Sequence, residues 1–188
     1  MSYLKDNKIL DEENLDWDVM EISKVDDKII RHLLDNLKLD KCNLSENFFI
    51  SFESLLKIGK KARNVFDLYI RETKEIHNFK LDIFNFMLDF INNKKIEYLL
   101  VPGLYNPDFI TRARTIFRIE QAGDKRYLKF ILPLLNDPDD SVRWAVLRYL
   151  DNLDMVKNPL VSKELKLFIE NESNLVIKEK CKEIFKNS

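Results

Sequence analysis

Glycine is scarce in this chain, at three residues in 188. A phosphate cradle needs successive backbone N–H groups turned toward one point, and glycine-rich loops supply them. The sequence has neither GxGxxG nor a P-loop, so nucleotide-binding folds built on those motifs are excluded. Cysteine is scarcer still. Cys42 and Cys181 stand alone with no CxxC spacing, which argues against a disulfide framework and fits a reduced, cytoplasmic setting. His32 and His77 lie far apart and form no metal-spaced pair such as HExxH, and there is no GxSxG nucleophile elbow. No apolar run reaches the ~18 residues of a membrane span. The start, MSYLKDNKILDEENLDW, lacks the apolar centre of a signal peptide. An excess of one charge is missing too. At a net charge of −1 the chain carries no overall basic field to draw it to nucleic acid. The expectation is no catalytic, cofactor-binding or metal-ligating residue, and hence no enzyme.

What the chain does have is helix-forming residues in a repeated order. It is 45% hydrophobic and 34% charged, rich in Leu, Ile, Lys and Glu, which favours an all-α domain. The stretch 124–150, DKRYLKFILPLLNDPDDSVRWAVLRYL, has a partner at 93–119, NKKIEYLLVPGLYNPDFITRARTIFRI. A shift of 31 residues superposes them without a gap: Pro102 falls on Pro133, Leu104 on Leu135, Pro107 on Pro138, Asp108 on Asp139 and Arg112 on Arg143. Similarity at a fixed period marks a repeat architecture.

Each copy reads as a helical hairpin. Asn93 and Asp124 are natural caps for a first helix. Leu128, Ile131, Leu132 and Leu135 form its apolar stripe, and Pro133 should bend it, as Pro102 bends the upstream copy. At the corner, Asp137 is expected to cap the second helix with Pro138 in its first turn, and Asn106 and Pro107 repeat the arrangement. Val142, Val146, Leu147 and Leu150 form the second stripe. Asp139 with Arg143, and Asp108 with Arg112, are four apart and can meet on a helix surface.

These residues resemble the HEAT-like repeat family. The resemblance rests on LPLLNDPDDSVR, residues 132–143, followed by Val146 and Leu150; the upstream copy departs from it with Thr111 where Val142 stands. The resemblance implies an α-solenoid, a superhelix of stacked antiparallel helical hairpins with about ten helices. The short period suits the bacterial-type variety. The clearest repeats are 93–121 and 124–152. A weaker capping repeat at 159–186 places Ile177, Lys178, Cys181 and Phe185 on Val142, Arg143, Val146 and Leu150 after a shift of 35.

The rest of the chain is read as follows. Residues 1–26 form an acidic, partly ordered segment, and 27–188 the solenoid domain. Nine carboxylates face four lysines over 1–28, with Trp17 among them; this is either a tail tacked down by its tryptophan or an arm for a basic partner. Amphipathic helices follow from Asp27 to Leu37, from Ser45 to Gly59, from Lys60 to His77 and from Asn78 to Asn92. Phe48, Phe49 and Phe52 are expected in the core, with a docking groove as the alternative. The helix from Asn78 is apolar over more than half its circumference, so it is sandwiched or offers a face to a partner.

One feature stands above this background. Arg112, Arg114 and Arg118, continued by Arg143 and Arg148 on the next second helix, can line up as a basic stripe in a solenoid, with Trp144 and Tyr149 nearby. These seven are the candidate partner-binding residues. The competing reading is a solvated face plus Asp–Arg pairs that bind neighbouring repeats together. The preferred function is a monomeric, cytoplasmic protein-interaction module: an adaptor, or a dedicated inhibitor such as an immunity protein that neutralises a toxin. The alternative is a DNA-binding protein or DNA glycosylase of the HEAT-like type, using the arginine-lined face. Lyases that attach bilins also occur among HEAT-like proteins, but no residue here points to that activity.

Overall fold

The computed structural model describes residues 25–37, 44–73, 78–92, 94 and 97–186. The acidic segment before residue 25, with Trp17, and also Cys42, His77 and the cap expected at Asn93, lie outside the described residues. Within them every regular element is helical. The fold is an all-α solenoid.

The amino-terminal part is a sandwich around phenylalanine. Helix α1, Asp27–Asn36, is capped by Asp26, whose Oδ1 accepts from the Ile29 N–H at 2.9 Å. Helix α2, Glu46–Ile58, ends at Gly59, where φ is +57°. That left-handed conformation is the one glycine adopts without strain at a helix end. A 3-10 segment, Gly59–Ala62, leads into α3, Arg63–Glu72. The expected single helix from Lys60 is thus a tight turn followed by a shorter α-helix. Helix α4, Asn78–Ile91, packs on α2 and α3 on one side and on the repeats on the other. Its wide apolar face is therefore a sandwiched one, with Phe79, Ile83, Phe84, Phe86 and Met87 buried.

The repeats follow, and their first helices differ from expectation. In the upstream copy the described residues before the corner form one α-helical turn, α5, Val101–Leu104. In the downstream copy Asp124 caps a 3-10 turn, Lys125–Tyr127, followed by α7, Leu128–Ile131, and a second 3-10 segment, Leu132–Asn136. A proline in mid-helix removes an N–H and crowds the carbonyl four residues back. Here it breaks the α-helix where a bend was expected. The second helices are regular: α6, Phe109–Gln121; α8, Asp140–Asn152; and, after α9, Pro159–Asn171, the last helix α10, Leu175–Lys186. Their caps are Asp108, Asp139 and Asn174. The expected caps Asn106 and Asp137 sit two residues too early, because each accepts a loop N–H, from Asp108 and Asp139, that tightens the corner.

Helices α6, α8 and α10 lie side by side as one layer. The other layer holds α4, α5, α7, the 3-10 segments and α9. Tyr105, fully buried, ties the parts together. Its ring lies 5.2–6.4 Å from those of Phe48, Phe49, Phe52 and Phe79, and its hydroxyl donates to the Phe130 carbonyl at 2.6 Å. The three phenylalanines of α2 are core.

Candidate protein-binding face

Arginine at the fourth position of α6 and of α8 looks along the stack. Arg112 folds back so that Nη1 meets the carbonyls of Asn106 and Pro107 at 2.8 and 2.9 Å. Its Nε and Nη2 donate to the two carboxylate oxygens of Asp137, in the next corner, both at 2.8 Å. The pair is shut away from water, with side-chain exposures of 3% and 0%. Burial pushes the Asp137 carboxyl up, while Arg112 and the Asp139 N–H pull it back. The face of Phe49 closes the other side, 3.9 Å below the guanidinium. Arg143 repeats the pattern one unit on. It meets the carbonyls of Asp137 and Pro138 and grips Glu172 with Nε at 2.8 Å and Nη2 at 3.1 Å, adding a contact to Asp140. The local pairs Asp108–Arg112 and Asp139–Arg143 do not form. Both acids spend their oxygens on capping, and both arginines point across the repeat boundary.

The exposed side of the same layer is different in kind. Ala113 and Phe117 of α6, Ser141 and Trp144 of α8, and Val176 and Ile177 of α10 line a shallow groove of ≈ 450 Å³. Asp140 and Asn174, hydrogen-bonded to each other at 2.6 Å, close one end. Trp144 and Phe117 are half-buried, so each keeps part of its ring open. Arg148 lies over the Phe117 ring at 5.0 Å and donates to Glu120 at 3.0 Å. The second Glu120 oxygen is buried and meets no donor among the described residues. Arg114 stands three residues before Phe117 and shares its side of α6, while Arg118, four residues after Arg114, lies further round the helix. Both are exposed and make no ion pair among the described residues.

The seven residues singled out in the sequence thus divide. Arg114, Arg148 and Trp144 share the open face, and Arg118 is exposed further round α6. Arg112 is sealed inside the stack and Arg143 nearly so. Tyr149 is fully buried, with its hydroxyl donating to the Asp124 carbonyl at 3.1 Å. No continuous arginine stripe exists. Phe117 and Val176 were missed. The signal for Phe117 was its place among Arg114, Arg118 and, one period on, Arg148. His32 is exposed on α1. Cys181 is buried, and burial pushes its thiol up to about 12, which suits packing over nucleophilic duty. Among the described residues no group of His, Cys, Asp and Glu is arranged to hold a metal ion, and no helix is long and apolar enough to cross a membrane.

Comparison with known families agrees with this architecture. Residues 98–182 match the family model of HEAT repeats, a stretch that holds the second clear copy and most of the first and of the closing unit. No curated protein and no solved structure matches the chain.

Proposed function

We propose that this chain, whose residues 98–182 are HEAT-like repeats, works as a protein-interaction module without chemistry of its own, as an adaptor or as a dedicated inhibitor. The observation that carries the reading is the groove through Phe117, Trp144 and Val176, which crosses all three second helices, with exposed Arg114 on the same side of α6 as Phe117. Half-open aromatic rings beside arginine are the chemistry of interface hot spots. In a solenoid such outward residues vary without disturbing the core. The partner this face fits is a protein that seats an apolar side chain on Trp144 and sets a carboxylate against Arg114. Neutralisation of a toxin by an immunity protein is one form such an inhibitor takes. Small size and the lack of catalytic motifs support it. A monomeric protein in the cytoplasm is the setting we infer.

The face offers little to a nucleic-acid backbone. Arg112 and Arg143 are already neutralised by Asp137 and Glu172, and Arg148 is paired with Glu120. The test captures partners from the native cytosol, with and without nuclease. It uses the wild type, the double variant Arg114→Glu/Trp144→Ala, and Lys166→Glu on α9 as a control, each checked for helicity. One stoichiometric protein should survive nuclease, fall by at least about tenfold on the double variant and stay on the control. Nucleic acid alone, or equal loss on both variants, overturns the reading.

A further inference from the structure

The internal rungs of the stack follow one rule, and its last instance is unfilled. The residue six places after each corner is a cation: Arg112 after Asn106, Arg143 after Asp137, Lys178 after Glu172. All three donate to the carbonyl of their own corner residue, Lys178 to Glu172 at 3.4 Å. Arg112 and Arg143 then take a carboxylate from the following unit. Among the described residues Lys178 takes none. The surface around it repeats the pattern. Lys182 stands where α8 has the fully buried Leu147, and exposed Leu167 stands where the previous unit has Leu132, buried in the 3-10 segment that packs on α9. Lys186, exposed, extends the same side of α10. This flank is built like the internal ones, but its contact positions carry lysine.

We propose that this outer flank of α9 and α10 is a second docking face, separate from the Trp144 groove, for a helical partner that presents an acidic residue at a helix-opening corner. Lys178 receives that carboxylate as Arg143 receives Glu172. Lys186 faces the partner's acidic side together with Lys182, which already pairs with Glu179 at 2.6 Å, and Leu167 is covered. A second copy of this chain does not fit the charge. A second copy of this chain stacked head to tail would offer Asn106, an uncharged amide, and its own Arg112 side is already covered by Phe49.

The test supplies such a corner. A second copy of residues 153–186 is joined after Asn187, which puts the copied Glu172 29 residues after Lys178, the separation of Glu172 from Arg143. The extended chain should melt about 3 °C or more above the parent. Lys178→Met, and Glu172→Gln in the appended copy only, should each remove part of that rise, and together no more than either alone. Purely additive losses, or no rise at all, overturn the proposal. So does concentration-dependent dimerisation of the unmodified chain that Lys178→Glu abolishes, since the occupant is then a second copy. None of these variants touches Trp144 or Arg114, so the groove reading stands or falls separately.

Discussion

Arg112 spends four of its five N–H donors inside the protein, and that decides what it does. A guanidinium taken out of water needs acceptors for its N–H groups, and here two carbonyls and a bidentate carboxylate serve. Removing one partner strands the other. Arg112→Met should therefore lower stability by about 3–5 kcal/mol in urea unfolding. The double variant Arg112→Met/Asp137→Leu should recover most of that loss, because an apolar pair needs no solvation. Equal losses for single and double variants would show that the arginine's stem packing matters more than its charge. Arg143→Met should cost less, since its side chain keeps 12% exposure and Asp140 lies beside it. In the sequence these arginines are open to two readings, a binding stripe or a solvated face with ties between repeats. Residue type and local spacing are the same in both cases. Only the partner's position, 25 residues away for Arg112, separates them.

At the scale of elements, the second helices were legible and the first were not. A second helix has an Asp cap, a two-sided pattern and no internal proline, so local and tertiary preferences agree. In a first helix the apolar spacing says α, while Pro102 and Pro133 forbid the N–H pairing it needs. In the downstream copy short 3-10 turns settle the conflict, in the upstream copy Pro102 falls in the first turn of α5, and periodicity alone reveals neither. Corner chemistry misled for a related reason: both Asp137 and Asp139 are good caps by type, and the deciding factor is Arg112, which belongs to another unit. One close approach follows from the broken first helix. A Cβ added at Gly103 in α5 would come within 2.5 Å of Thr115 Oγ1 on α6. Thr115 cannot swing away without losing its 2.7 Å bond to the Thr111 carbonyl. Gly103→Ala should thus destabilise by about 1–3 kcal/mol, the range of overpacked cores. Thr115→Ala in the same chain should relieve part of it, read as a recovered urea midpoint. Absence of any loss in Gly103→Ala would mean that α5 shifts freely on α6.

The whole molecule is a short one-dimensional stack, and its ends differ. In such a stack each unit is held by its own stability and by its contacts with the units on either side. The amino-terminal end is closed: α2 lays Phe48, Phe49 and Phe52 against Tyr105, and the Leu44 N–H donates to the Asn136 carbonyl at 2.8 Å. Helix α8 has neighbours on both sides, α6 and α10. Among the described residues helix α10 has only α8 beside it in that layer, with Lys178 and Lys182 on its other flank. This asymmetry was only half visible in the sequence, where a lysine-rich last helix marked a cap but gave no sign of which contacts were missing. Native-state hydrogen exchange should therefore show a gradient. Amides of α8 exchange slowest, near the global unfolding limit, and those of α10 fastest among the three second helices. Glu172→Gln weakens the tie from Arg143 to the last unit, so it should speed exchange in α10 by about tenfold and leave α8 within a factor of two. A uniform change across α6, α8 and α10 would mean that the stack opens only as a whole, and that the last unit is no weaker than the rest.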